Sequence, residues 1–143
     1  MEKLLISACL LGVNCKYDGG NNALPPDTLA ALRESFELVP VCPEQLGGLP
    51  TPRVPSERRD GRVVSREGAD VTEAFRKGAE ETLRIAKENG CRRALLKTNS
   101  PSCGSGQIYD GSFSGTLIPG DGVTAELLKH ENFEVFGHIQ GLI

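Results

Sequence analysis

Cysteine supplies the most reactive side chains in this chain, at positions 9, 15, 42, 91 and 103. An odd number of thiols argues against a disulfide framework, and the absence of any CxxC pair removes zinc-ribbon and thioredoxin-type readings. Three of the five open a bend: "CLLG" at Cys9, "CPEQLGG" at Cys42 and "SPSCGSG" at Cys103. Glycine and proline at such places allow tight turns and close backbone approach to a ligand. Three thiolates suit a soft metal or an iron–sulfur cluster, and backbone amides in Gly- and Ser-rich bends can hydrogen-bond cluster sulfides. The spacing is not a ferredoxin pattern, so packing of cysteine as a small buried hydrophobe stays open beside the metal readings.

The elements between these bends decide whether the thiols can meet. "KLLISA", 3–8, reads as a buried strand without alternation, and "FELVPVC", 36–42, as a second. A helix is expected over "TLAALRESF" with Asp27 as its N-cap. Residues 43–68 are rich in Pro, Gly and Arg and read as a long extended loop, with a short hairpin at "RVVS". The segment 70–89 repeats apolar residues at Val71, Phe75, Ala79 and Leu83, the face of an amphipathic helix. Asp70 and Glu73 have capping-box spacing there, and Gly90 fits the stop. "CRRALLK" is a third buried strand, 107–121 a glycine-rich hairpin, "GVTAELLKHEN" a short helix and "FEVFGHI" a last strand.

Strands alternating with helices predict one α/β domain over 1–143, Rossmann-like, three-layered, with a mainly parallel central sheet. In such a sheet the loops beyond the strand carboxyl ends gather along one edge, where ligands bind. Cys9, Cys42 and Cys103 all fall there, so they are expected to face one pocket. Cys91 opens a strand after a helix stop and reads as packing.

Composition narrows the field. The chain has 143 residues, 38% hydrophobic, enough for one core, with a net charge of −3. No basic excess favours a nucleic-acid partner, and no apolar run has membrane-spanning length. "MEKLLISACLLG" has a short apolar run and an acidic Glu2, so it reads as an opening strand of a cytoplasmic protein and not as a signal peptide.

The successive stretches "ISACLLGVNCKYDGG", "VPVCPEQLGGLPTPR", "GADVTEAFRKGAEETL", "LLKTNSPSCGSGQIYDGSFSG" and "GDGVTAELL" resemble, in order and over nearly the whole chain, the motifs of the thiouracil desulfidase family. The closing segment, Asn132 to Ile143, matches weakly. The resemblance implies a 4Fe–4S cluster held by three cysteines, here Cys9, Cys42 and Cys103, with one iron left free of protein ligands. It implies catalytic roles for an acidic residue, Glu44, and a serine, Ser100. The implied reaction takes sulfur from a thiolated pyrimidine such as 2-thiouracil, giving uracil and sulfide. A carrier or sensor of sulfur on the same thiolates, or a zinc hydrolase, are the competing readings. Glu44 also fits a plain helix N-terminal carboxylate and Ser100 a turn residue. Arg53 fits either an anion or carbonyl contact or a solvated position, and Tyr17 and Asp18 either a turn or the pocket wall. Cys15 fits either a fourth ligand in a resting state or, better, a surface or half-buried thiol, and His130 and His138 have no evident partner. "NSPSCGSG" lacks the Lys-Ser/Thr ending of a phosphate loop.

Overall fold

A computed structural model describes all 143 residues. The first strand, β1 (Lys3–Ser7), is buried almost throughout because both of its faces are covered. Its side chains divide by the period of two: Leu5 points into one apolar cluster and Leu4 and Ile6 into another. All three are fully buried, each contributing about 1.5–3 kcal/mol. After one turn of 3-10 helix (Ala8–Leu11), the chain forms α1 (Pro26–Ser35) and β2 (Glu37–Val41). Asp27 is not the N-cap of α1. The helix begins at Pro26 behind Pro25, a proline being pre-set for the first helical position, and Asp27 lies within the first turn.

Residues 43–68 hold more structure than a loop. A single helical turn, α2 (Pro43–Leu46), follows β2 directly, and β3 (Ser56–Arg59) pairs antiparallel with β4 (Arg62–Ser65). Proline-rich composition concealed α2, although Pro43 sits where a helix accepts it. Then come α3 (Thr72–Glu88), β5 (Arg93–Leu95), the hairpin β6 (Gln107–Tyr109) with β7 (Leu117–Pro119), α4 (Val123–His130) and β8 (Glu134–Phe136).

The central sheet is wholly parallel, in the order β2-β1-β5-β8. Helices α3 and α4 cover one face through Ala86, Ala125 and Leu128. Helix α1 and the C-terminal residues cover the other through Leu32 and Leu142, giving the three layers expected. Chain order runs one way from β1 to β2 and the other way through β5 and β8. The direction therefore reverses beside β1, which is where open sheets of this kind leave a crevice.

The start of α3 departs from the expected capping box. Asp70 Oδ1 accepts from the Thr72 amide at 3.0 Å and the Thr72 hydroxyl at 2.6 Å, while Glu73 pairs with Arg76 at 2.7 Å. Thr72 Oγ1 in turn accepts from the Val63 amide at 2.9 Å, tying β4 to α3. Those Thr72 bonds, helped by Arg62, pull the Asp70 carboxyl down to about 2.

Helix α2 lies against α3 with almost no space between their backbones. A Cβ at Gly78 would stand 1.9 Å from the Pro43 carbonyl oxygen, and one at Gly47 would stand 2.0 Å from that of Ala74. Only hydrogen fits at either place. Gly78→Ala is therefore expected to cost about 1–3 kcal/mol in denaturant unfolding, the usual range for overpacking, and to push α2 outward. A second expectation concerns acid stability. A carboxyl depressed in the fold contributes above its unfolded pKa, about 3.9, and loses that contribution as pH falls through about 2. Asp70→Asn should flatten the fall of the urea midpoint between those values, and the difference from the parent should shrink in high salt, because Asp70 is solvent-exposed.

Candidate functional site

The crevice at the carboxyl edge of the sheet opens into a cavity of about 480 Å3. Cys9, Cys42 and Cys103 all line it, and Cys91 does not. Each thiol arrives from a different strand. Cys9 lies in the 3-10 turn after β1, its carbonyl fixed by the amides of Gly12 at 3.2 Å and Asn22 at 2.9 Å. Cys42 is the residue between β2 and α2, and its carbonyl accepts from the Leu46 amide at 2.9 Å. Cys103 follows β5 in the "SPSCG" bend.

That bend is built by hydrogen bonds at both ends. Ser100 Oγ accepts from the amides of Ser102 at 3.1 Å and Cys103 at 2.8 Å, curling the loop around its hydroxyl. The carbonyls of Pro101 and Ser102 accept from the first amides of α4, Val123 at 2.8 Å and Thr124 at 2.9 Å. These helix-end donors would otherwise be unpaired. The approach is close enough that a Cβ at Gly122 would meet the Ser102 carbonyl at 2.5 Å.

Glu44 stands on the first turn of α2, facing the same cavity. Arg53 Nε donates to Glu44 Oε1 at 3.0 Å, and Ser102 Oγ donates to Oε2 at 2.9 Å. Only 16% of the Glu44 side chain and 8% of that of Arg53 is exposed, so this pair is far better shielded than the surface ion pairs. The Arg53 fork also reaches the Cys15 carbonyl at 3.0 Å, Thr51 Oγ1 at 3.1 Å and the Pro50 carbonyl at 3.2 Å. Ser100 Oγ lies 3.0 Å from Ser102 Oγ, so a chain of hydroxyls links Ser100 to the Glu44 carboxylate.

Burial pushes the Cys103 thiol up to about 12, with hydrogen bonds from Ser7 and Ser102 opposing it and the charges of Glu44 and Cys9 adding to it. Burial likewise raises Cys9, against a hydrogen bond from Asn22. Cys15 is a fourth thiol of the cavity, buried, and raised to about 12 by desolvation and then by Cys42 beside it. The Cys42 thiol donates to the Cys15 carbonyl at 3.9 Å. Of the two positions the sequence allows Cys15, the structure shows a buried thiol in the cavity wall. The sequence does not single out Ser102, the contact of Glu44, or Ser7, whose hydroxyl meets Cys103. Both serines could have been noticed: one sits inside the bend itself and the other ends an otherwise apolar strand. Tyr17 lines the cavity and Asp18 does not; its carboxylate closes a local turn on the Gly20 amide at 2.9 Å. His130 and His138 lie away from the cavity.

The donor set fits an iron–sulfur cluster. Four soft sulfurs line one cavity, those of Cys9, Cys42 and Cys103 from three strand ends and that of Cys15 beside Cys42, yet no three Cys, His, Asp or Glu side chains lie close enough to share a single ion. A group several atoms across suits that spread better than one zinc does.

Comparisons with known proteins agree with this geometry. A profile of the 2-thiouracil desulfurase family matches residues 4–139. The uncharacterized protein YbbK of Bacillus subtilis (strain 168) is 44% identical over 142 residues, covering 92% of this chain and 93% of its own. The solved structure of TudS, a 4Fe–4S-dependent thiouracil desulfidase, superposes with a TM-score of 0.93 at 45% identity, over 99% of this chain and 94% of that one. With a family profile spanning all but the ends, and a solved relative that shares both fold and nearly half of its residues, the chain belongs to the 2-thiouracil desulfurase family.

Proposed function

We propose that this protein removes sulfur from thiolated pyrimidines, converting 2-thiouracil to uracil and sulfide, with a 4Fe–4S cluster held by Cys9, Cys42 and Cys103 and one iron free of protein ligands. The observation that carries the reading is the convergence, on one cavity, of three thiols from three strand ends with a carboxylate and two serine hydroxyls. When bound, the cluster supplies a soft Lewis acid suited to a thiocarbonyl sulfur.

The chain's own residues do the rest. Water must attack the thiocarbonyl carbon and lose a proton, and Glu44 is the base; the other carboxylate of the cavity, Glu57, is taken up by the amides of Gly111 and Phe113. Its carboxylate is held between Arg53 on Oε1 and Ser102 on Oε2, which fixes its orientation while each oxygen keeps a lone pair for a water proton. Ser100, beside Ser102, orients the ring or the attacking water by its hydroxyl. Overall a C–S bond is exchanged for a C–O bond, water supplies the oxygen and sulfide leaves. No electrons are gained or lost, so no reductant is needed.

Protein reconstituted with iron and sulfide under anaerobic conditions should be brown and should release sulfide from 2-thiouracil. Cys103→Ser is expected to lose both colour and turnover. Glu44→Gln should keep the visible spectrum while kcat falls by about 10²–10⁴, the usual cost of removing a general base. Turnover of Glu44→Gln at the parent rate would refute the acid–base role and favour a sulfur carrier. A colourless parent that takes up zinc and no iron would refute the cluster.

A further inference from the structure

We propose that Ser7 is a positioning residue for the cluster, donating the hydrogen bond that holds the Cys103 sulfur as an iron ligand. The inference rests on the cluster reading above and gives a role to Ser7, two residues before Cys9 in the stretch "ISACLLG".

Ser7 ends β1, an inner strand paired with β2 and β5, and only 2% of it is exposed. Its hydroxyl has two bonds. The Lys97 amide donates to Ser7 Oγ at 2.9 Å, so the oxygen already serves as an acceptor. The single hydroxyl proton must then go elsewhere, and the acceptor it meets is Cys103 Sγ at 3.4 Å. The direction is forced once the sulfur is an iron ligand: a thiolate has no proton to give and the Lys97 amide cannot accept, so Ser7 gives its proton to the sulfur. Ser102 Oγ also lies near that sulfur, at 3.7 Å, but its proton has a shorter path to Glu44 Oε2 at 2.9 Å. Ser7 is thus the donor committed to Cys103. Cys42 is arranged the other way, its own thiol donating to the Cys15 carbonyl.

A buried hydroxyl is costly unless both of its bonds are made, and an alanine would satisfy the packing of "KLLIS" equally well. Both bonds of Ser7 run to the segment that carries Cys103, from Lys97 at the end of β5 to the bend itself. The donor is set by the central strand of the sheet before any cluster arrives. A hydrogen bond to a ligand sulfur draws charge from it, stabilises the thiolate against loss and raises the potential of the cluster.

The test compares the anaerobically reconstituted parent with Ser7→Ala and Ser7→Thr. Ser7→Ala should surrender iron to a ferrous chelator about 10–100-fold faster than the parent, the typical effect of removing an outer-shell partner. The midpoint potential of its cluster should move to a more negative value, a change that loosened packing alone does not produce. Ser7→Thr, which keeps the hydroxyl, should restore both. If Ser7→Ala does not fold, pulsed proton ENDOR on the reduced parent in H2O and D2O decides: a strongly coupled exchangeable proton at the Cys103 sulfur is expected, and its absence overturns the proposal. Parental iron-loss rate and potential in a folded Ser7→Ala overturn it equally, while sulfide release by the parent would leave the desulfidase reading standing. A parent that never acquires a cluster removes both.

Discussion

The pairing of β1 with a strand on each side is the constraint on which the site depends. Its ladder to β2 runs from Lys3↔Glu37 to Ser7↔Val41, and its ladder to β5 sets Ile6 against Leu95. Because all three strands are parallel, their carboxyl ends finish along one edge, and the three thiols that follow them must converge. A one-residue slip in either ladder would exchange the faces of Leu4, Leu5 and Ile6 and bury the wrong set. The apolar core therefore specifies the register, and the register positions the sulfurs. Ser7 belongs to the same arrangement, being the last paired residue of the central strand.

A second constraint aims the carboxylate. Glu44 is two residues past Cys42, on a helical turn too short to be stable alone. Packing against α3 holds that turn, and the glycine pair Gly47 and Gly78 permits the approach. Long-range apolar contact of an amphipathic helix, far from the cavity in sequence, thereby determines where the Glu44 carboxylate points.

The Glu44–Arg53 pair carries the usual penalty of a shielded ion pair, since desolvation consumes much of the Coulombic gain. It is made tolerable by saturation. Both carboxylate oxygens are bonded, and every nitrogen of the guanidinium finds an oxygen. Arginine suits this place better than lysine, because one planar fork joins α2, the loop at Thr51 and the loop at Cys15. Removing one member would leave a buried charge alone, so the network acts as a unit that fixes the Glu44 carboxylate in the cavity wall.

By itself the sequence determined the α/β class, the three-layer architecture and nearly every element, because buried parallel strands read as unbroken apolar runs and α3 as a clear 3.6-residue period. It also picked out Cys9, Cys42 and Cys103 as thiols that end up on one cavity, since a parallel sheet leaves their bends nowhere else to go. Local rules faltered where tertiary contact outweighed them. Asp70 bonds Thr72 in place of completing a capping box, because Thr72 is also held by β4. α2 forms within a proline-rich stretch because α3 supports it. The partners of the chemistry were decided by tertiary structure alone. Ser102 lies 58 residues from Glu44, and Ser7 lies 96 from Cys103. A hydrogen bond between side chains so far apart leaves no periodic trace in a chain; it exists only once the strands have paired and the bends have closed.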